Sequence, residues 1–189
     1  MEKKLIYKIK YTKAARFNAY RRLKSMDSLS TISISLLSAY IFITNLIPLF
    51  FPKWLDPSTV GFLTSAFSIF ILILSVYEAE KNYSLLSYQF HECGKKLSKL
   101  EDRLQLLIEN ENLNNREKKI AEILNEYHDI LGTYDINHDP VDSEKAYIYF
   151  EKENIKILRR VYINFFYEFK HRWQYYLLIL LPLIFLFFL

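Results

Sequence analysis

Residues Ser28 to Phe51 read SLSTISISLLSAYIFITNLIPLFF, 24 positions without a charge. A helix of that length covers about 36 Å, more than the ~30 Å hydrocarbon core of a bilayer. A second uncharged run, Ser58 to Tyr77 (STVGFLTSAFSIFILILSVY), holds 20 residues and reaches about 30 Å. Only Pro52-Lys53-Trp54-Leu55-Asp56-Pro57 separates the two. Each proline lacks a backbone N–H and disfavours the helical region for the residue before it. The link therefore predicts a tight antiparallel transmembrane hairpin over 28–77, with Trp54 at the interface. Two buried helices of a water-soluble core fit poorly, because the rest of the chain has too little apolar surface to wrap both. A secretory signal fits poorly as well: the charged region before the first run is too long, and no small-residue cleavage pattern follows.

A third apolar run closes the chain, Trp173 to Leu189 (WQYYLLILLPLIFLFFL), 17 residues worth about 26 Å. Trp173, Tyr175 and Tyr176 form an aromatic collar, preceded by Lys170, His171 and Arg172. This predicts a short third hydrophobic helix. Crossing a thinned bilayer is the expectation; a re-entrant or partly inserted tail is the rival.

The composition of the 189 residues is lopsided: 51% hydrophobic, 17% aromatic, but only 3 Gly, 5 Pro and 1 Cys. The lone Cys93 excludes an internal disulfide framework and cysteine-rich zinc modules. The three glycines, Gly61, Gly94 and Gly132, cannot form a phosphate-binding P-loop. Charge is distributed unevenly. Residues 1–27 carry nine Lys/Arg against Glu2 and Asp27, the hairpin tip has Lys53 and Asp56, and residues 78–172 carry 15 Lys/Arg against 18 Asp/Glu. The positive-inside rule then places the N-terminus and residues 78–172 in the cytosol and the tip outside. The overall net charge of +4 is local to the N-terminal arm and does not point to nucleic acid. The expected segments are a basic cytosolic N-terminal helix (1–27), the hairpin (28–51 and 58–77), a cytosolic helical domain (78–172) and the third hydrophobic helix (173–189). The predicted fold class is all-α integral membrane, with no useful strand alternation anywhere.

Tyr7 to Lys24 reads as a helix of mixed cations and aromatics. It can lie on anionic lipid, or set topology and pack against the cytosolic domain. After the second run, Leu86, Phe90, Cys93, Leu97, Leu100, Leu104 and Leu107 repeat at spacings of 4, 3, 4, 3, 4, 3. That is a heptad seam of coiled-coil type, expected to join copies of the chain, on a helix continuous with the second span. Gly94 within it permits close approach of a neighbour or has no role. Asn110 to Asn115 forms the natural break. Ile120, Ile123, Leu124, Tyr127, Ile130 and Leu131 then mark a second amphipathic helix, with Gly132 as its C-cap. Asp135 to Pro140 is a turn cluster. Ser143 is expected to cap a last long helix through Tyr147, Phe150, Ile157, Val161, Phe165 and Phe169.

Chemistry is sparse. His128, Asp129, Asp135, His138, Asp139 and Asp142 are acceptable metal ligands, but their spacing matches no metal pattern, and a capped polar turn accounts for them. His91 and Cys93 point to different helix faces. No catalytic, cofactor-binding or metal residue is assigned, and an enzyme is not expected. The spans carry hydroxyls instead. Ser28, Thr31, Ser35, Ser38 and Asn45 fall on one stripe of the first, and Gly61, Thr64, Ser65, Ser68 and Ser75 are helically spaced in the second. One reading is small-residue packing with hydroxyls bonded between helices or back to carbonyls. The other is that Ser28, Thr31, Ser35 and Ser38 line a wettable pore built by several copies.

Taken together, KAARFNAYRRL (Lys13–Leu23), SVYEAEKNY (Ser75–Tyr83), QFHECGKKLSKL (Gln89–Leu100), Tyr127, Asn137-His138 and Asp142 resemble the SLATT domain family, two-helix membrane effectors of bacterial nucleotide-signalling and reverse-transcriptase-linked defence loci. The C-terminal run resembles that family's three-span versions. The resemblance implies a homo-oligomer in the bacterial inner membrane that permeabilises it on a signal and arrests or kills an infected cell. It also implies a separate sensor, reverse transcriptase or nucleotide-signalling partner protein. It transfers no catalytic residues, and Asn137, His138 and Asp142 match a family segment without an assigned role. The rival is a non-conducting membrane anchor that recruits a cytosolic partner.

Overall fold

A computed structural model describes residues 2–51, 56–109, 115–134, 136–151 and 155–188. Trp54 and most of the hairpin link, Asn110 to Asn114 of the expected break, and Asp135 of the turn cluster lie outside the described residues. The helices are α1 (Glu2–Phe50), α2 (Pro57–Glu80), α3 (Tyr83–Glu109), α4 (Arg116–Thr133), α5 (Pro140–Phe150), α6 (Ile157–Phe169) and α7 (Trp173–Phe188), and no strand occurs among the described residues. The chain forms two compact units. An extramembrane unit comprises Met1–Lys24 and Ser84–Phe169; a membrane unit comprises Ser25–Tyr83 and Lys170–Leu189.

Among the described residues, two helical stretches are long and apolar enough to span a bilayer, one within α1 and one that begins with α2. Asp56 starts α2 in a way its sequence dictates. Its carboxylate accepts from Thr59 N at 2.8 Å and from Thr59 Oγ1 at 2.9 Å, and Pro57 occupies the first turn, where its missing N–H costs nothing. Among the described residues, Thr64 Oγ1 of one leg donates to Asn45 Oδ1 of the other at 2.7 Å. The 16 residues of α7 amount to about 24 Å. Its first turn is tied to both other helices. Tyr175 donates its hydroxyl to Glu78 Oε2 of α2 at 2.7 Å, and Ser33 Oγ of α1 lies 3.4 Å from the Tyr175 carbonyl.

The extramembrane unit is built around the apolar face of α3. Cys93, Leu97, Leu100, Leu104 and Leu107 pack with Leu5 and Ile9 of α1 and with Ile120, Ile123, Tyr127 and Ile130 of α4. At Gly94 the Phe17 side chain of α1 approaches closely: a Cβ there would meet its ring at 3.0 Å. A smaller cluster, Ile148, Ile155 and Ile163, joins α5 and α6.

Several boundaries differ from the sequence expectation, each for a local reason. The N-terminal helix does not end before the first span: α1 is unbroken from Glu2 to Phe50, because nothing between Lys24 and Ser28 breaks a helix. The helix after the second span is interrupted at Lys81–Asn82, where Asn82 takes a left-handed backbone (φ 49°) and donates its side-chain amide to Glu80 O at 2.9 Å. Asparagine tolerates that region better than most residues. Gly132 is not the cap of α4, which continues to Thr133 and closes with Tyr134 N bonded to Ile130 O. Ser143 is not a cap either. Asp139 caps α5 in a capping box with Asp142. The last long helix is divided into α5 and α6.

Candidate functional site

The segment from Ile136 to Ser143 is held by four side chains of α1. Tyr11 donates to Ser143 O at 2.9 Å, Arg16 donates to Ile136 O, Asn18 Nδ2 donates to Asp142 O at 2.9 Å, and Arg22 makes a two-pronged pair with the Asp142 carboxylate, Nε to Oδ1 at 3.0 Å and Nη2 to Oδ2 at 2.8 Å. Asp142 is fully buried and Arg22 nearly so. The same carboxylate accepts from Asp139 N at 3.1 Å, so one residue both caps α5 and neutralises a buried guanidinium. Burial pulls the Arg22 guanidinium down, but the Asp142 hydrogen bonds and charge outweigh it and hold the group above its ordinary range. From α6, Tyr167 donates to the Asn18 carbonyl at 2.6 Å.

His138 sits inside this lock, with Nε2 2.6 Å from Ser143 Oγ. Burial first, and the nearby Arg16 cation second, lower its pKa and favour the neutral ring, against the opposing pull of Asp142. Asn137 is exposed. Asp142 therefore fastens α5 to α1, while His138 ties the turn before α5 to Ser143 in its first turn. Arg16 and Arg22, which the sequence suggests for lipid or topology, are committed to the same lock. Among the described residues no three His, Cys, Asp or Glu side chains converge as a metal site.

Beside the lock opens a cleft of about 1070 Å³. Lys10, Lys13 and Arg21 of α1, Lys145 of α5 and Arg160 of α6 line it. Glu101, which pairs with Lys13 and Lys10, is the opposing carboxylate among the described lining residues. The wall includes an aromatic cluster, with His91 4.6 Å from the Tyr20 ring and 5.9 Å from Phe17. Cations beside π-faces suit an anion that also carries a planar or apolar part.

The seven seam residues divide simply. Leu86 is half-buried, and Phe90, Cys93, Leu97, Leu100, Leu104 and Leu107 are buried within one chain, against α1 and α4 in most cases. Burial also pushes the Cys93 thiol upward, as for an inert core cysteine. In the spans, Ser28, Thr31, Ser35 and Ser38 are all exposed on the outside of α1, whereas Ser30 and Ser33 are buried. Thr31 and Ser38 bond back to the carbonyls of Asp27 and Ile34, at 3.0 and 2.9 Å. The interhelical hydroxyl bond of the hairpin belongs to Thr64. Sequence reasoning placed Tyr175 in an aromatic collar but missed its bond to Glu78 and the pairing of Glu78 with Lys81 at the membrane edge; the available signal was a carboxylate directly after a long uncharged run, with a lysine three residues on.

The sequence profile of SMODS and SLOG-associating 2TM effector domain family 5, SLATT family 5, matches residues 1–188. Neither the curated proteins nor the solved structures contain a match.

Proposed function

Because this chain belongs to SMODS and SLOG-associating 2TM effector domain family 5, a family of membrane effectors associated with defence systems, we propose that it is a non-enzymatic effector that oligomerises in the bacterial inner membrane and permeabilises it on a signal. The observation that carries this reading is the row Ser28, Thr31, Ser35 and Ser38, polar, uncharged and exposed on the outer face of a spanning helix. A helix surrounded by lipid gains nothing from hydroxyls on its outer face. Several copies arranged with that face inward would enclose a wettable path. The α3 seam is already covered by its own chain, so assembly would use the outer faces of α1 and α2. The extramembrane unit faces the cytosol in this reading, which the positive-inside rule supports through the nine Lys and Arg before residue 28, and its basic cleft is the surface suited to an anionic trigger or to an acidic patch on a sensor protein.

The test is membrane potential and dye uptake in cells after triggered expression. Wild type is expected to depolarise the cells, and Ser35→Leu combined with Ser38→Leu to leave them polarised at equal protein levels. Equal depolarisation by both would remove the lining assignment. The cleft also supports a second reading, a non-conducting anchor that recruits a partner. That version predicts partner capture with no change in permeability, and loss of capture in Arg21→Gln combined with Lys145→Gln.

A further inference from the structure

The basic cleft of the extramembrane unit has a direction. Glu101 of α3 pairs with Lys10 and Lys13, whereas His91, earlier in α3, lies against Phe17 and Tyr20. Phe150, at the end of α5, lies against Tyr7 and Tyr11, whereas Asp142, near its start, meets Asn18 and Arg22. Both α3 and α5 therefore run antiparallel to α1, and the cleft follows α1 from Lys10 to Arg21. That stretch of helix is about 16 Å long, the reach of about five residues of extended chain. Charge is spread along it. Lys10 and Lys13 stand at one end and share Glu101. Arg21 stands at the other, exposed, and donates to the neutral Asn18 amide oxygen at 2.7 Å. Lys145, which also pairs with Glu168 at 3.1 Å, adds a cation from α5. Between the ends the lining includes Ala14 and Ala146, whose side chains stop at Cβ.

We propose that this cleft receives an extended acidic segment of a partner protein, one that also carries an aromatic residue. The inference rests on the reading of the cleft as the triggering surface and names what fills it. Three observations select a peptide. First, cations at both ends of a groove this long match carboxylates several residues apart, by electrostatic complementarity, rather than one compact anion. Second, the described lining holds no glycine and takes its cations from the sides of helices, whereas phosphate sites gather backbone N–H groups in a nest. Third, Glu101 sets a carboxylate among the cations. It repels a chain of phosphates, which has no donor to offer, but accepts from a peptide N–H. The Tyr20 and His91 rings, 4.6 Å apart, give the aromatic residue a surface to pack on.

The experiment uses the full chain in nanodiscs of zwitterionic phospholipid, so that no lipid charge competes. The probe is a short fluorescein-labelled peptide with glutamates at both ends and tyrosine and leucine between them, read by anisotropy. Saturable binding is expected, with none for the counterpart in which lysines replace the glutamates. Arg21→Gln combined with Lys145→Gln should weaken it about tenfold, as for the loss of two exposed ion pairs. Lys10→Gln, at the far end, should weaken it about threefold. Unchanged melting of the extramembrane unit in these variants separates lost contact from lost fold. Absence of saturable binding, or equal affinity in wild type and both variants, would overturn the proposal. So would displacement by tripolyphosphate, ATP or oligothymidylate at lower concentrations than unlabelled peptide, because the cleft would then be a phosphate site. Ion release from vesicles holding the same chain is read separately. Bound peptide without release removes the permeabilising reading and leaves this inference standing; depolarisation of cells by a chain that binds no peptide does the reverse.

Discussion

One helix, α1, meets two solvents, and its polar side chains behave differently in each. In the extramembrane half, Tyr11, Arg16, Asn18 and Arg22 all reach across to residues 136–143. In the membrane half, Thr31, Ser33, Ser38 and Thr44 turn back to the carbonyl four residues earlier in their own helix. Where water competes for every polar group, such a group contributes to the fold only when it is desolvated together with a matched partner. A small hydroxyl on a helix has a nearer acceptor than any neighbouring element, the carbonyl one turn back in its own backbone. Buried ionic chemistry specifies the first region, while the second is held by shape and by a few bonds at its ends.

The contrast is sharpest at Asp142. Its change to Ala leaves the Arg22 charge buried without its counter-ion and is expected to destabilise the extramembrane unit by about 3–5 kcal/mol. Chemical denaturation of the detergent-solubilised chain measures this, and replacing both partners (Arg22→Met with Asp142→Leu) should recover much of the loss. A cost for Asp142→Ala below about 1 kcal/mol would class the pair with exposed salt bridges. Next comes Gly94→Leu, which drives a side chain into Phe17, already at 3.0 Å from a notional Cβ. Overpacking of this kind costs about 1–3 kcal/mol and should lower the melting temperature of the same unit. The smallest effect belongs to the membrane side. Thr64→Val removes the bond to Asn45 and should cost only about 0.6 kcal/mol, read from unfolding in mixed micelles. A cost there equal to that of Asp142→Ala would abolish the distinction between the two regions.

The spans were legible in the sequence because the demand of lipid is compositional: enough consecutive apolar residues, flanked by charge, whatever their order. The amphipathic faces of α3 and α4 were legible too, since burial on one side imposes a helical period. The period does not reveal what covers the face, so Leu97 and Leu104 read equally well as a seam between copies and as the core of one chain, which is where they lie. Arg22 and Asp142 were opaque for a different reason. They stand 120 residues apart, and a cation in a basic arm gives no sign of being buried. The division between α5 and α6 was hidden because Phe150 and Ile157 continue the same helical spacing across it.

Cys93 lies at the centre of the α3 face, fully buried, with burial holding its thiol in the unreactive protonated form. As the sole sulfhydryl in the chain, it amounts to a native clock for opening of the extramembrane unit. A thiol-specific reagent added to intact membranes will be consumed only as fast as that unit exposes its interior, so any trigger that loosens α3 from α1 and α4 will announce itself as faster labelling, with no engineered probe in the protein.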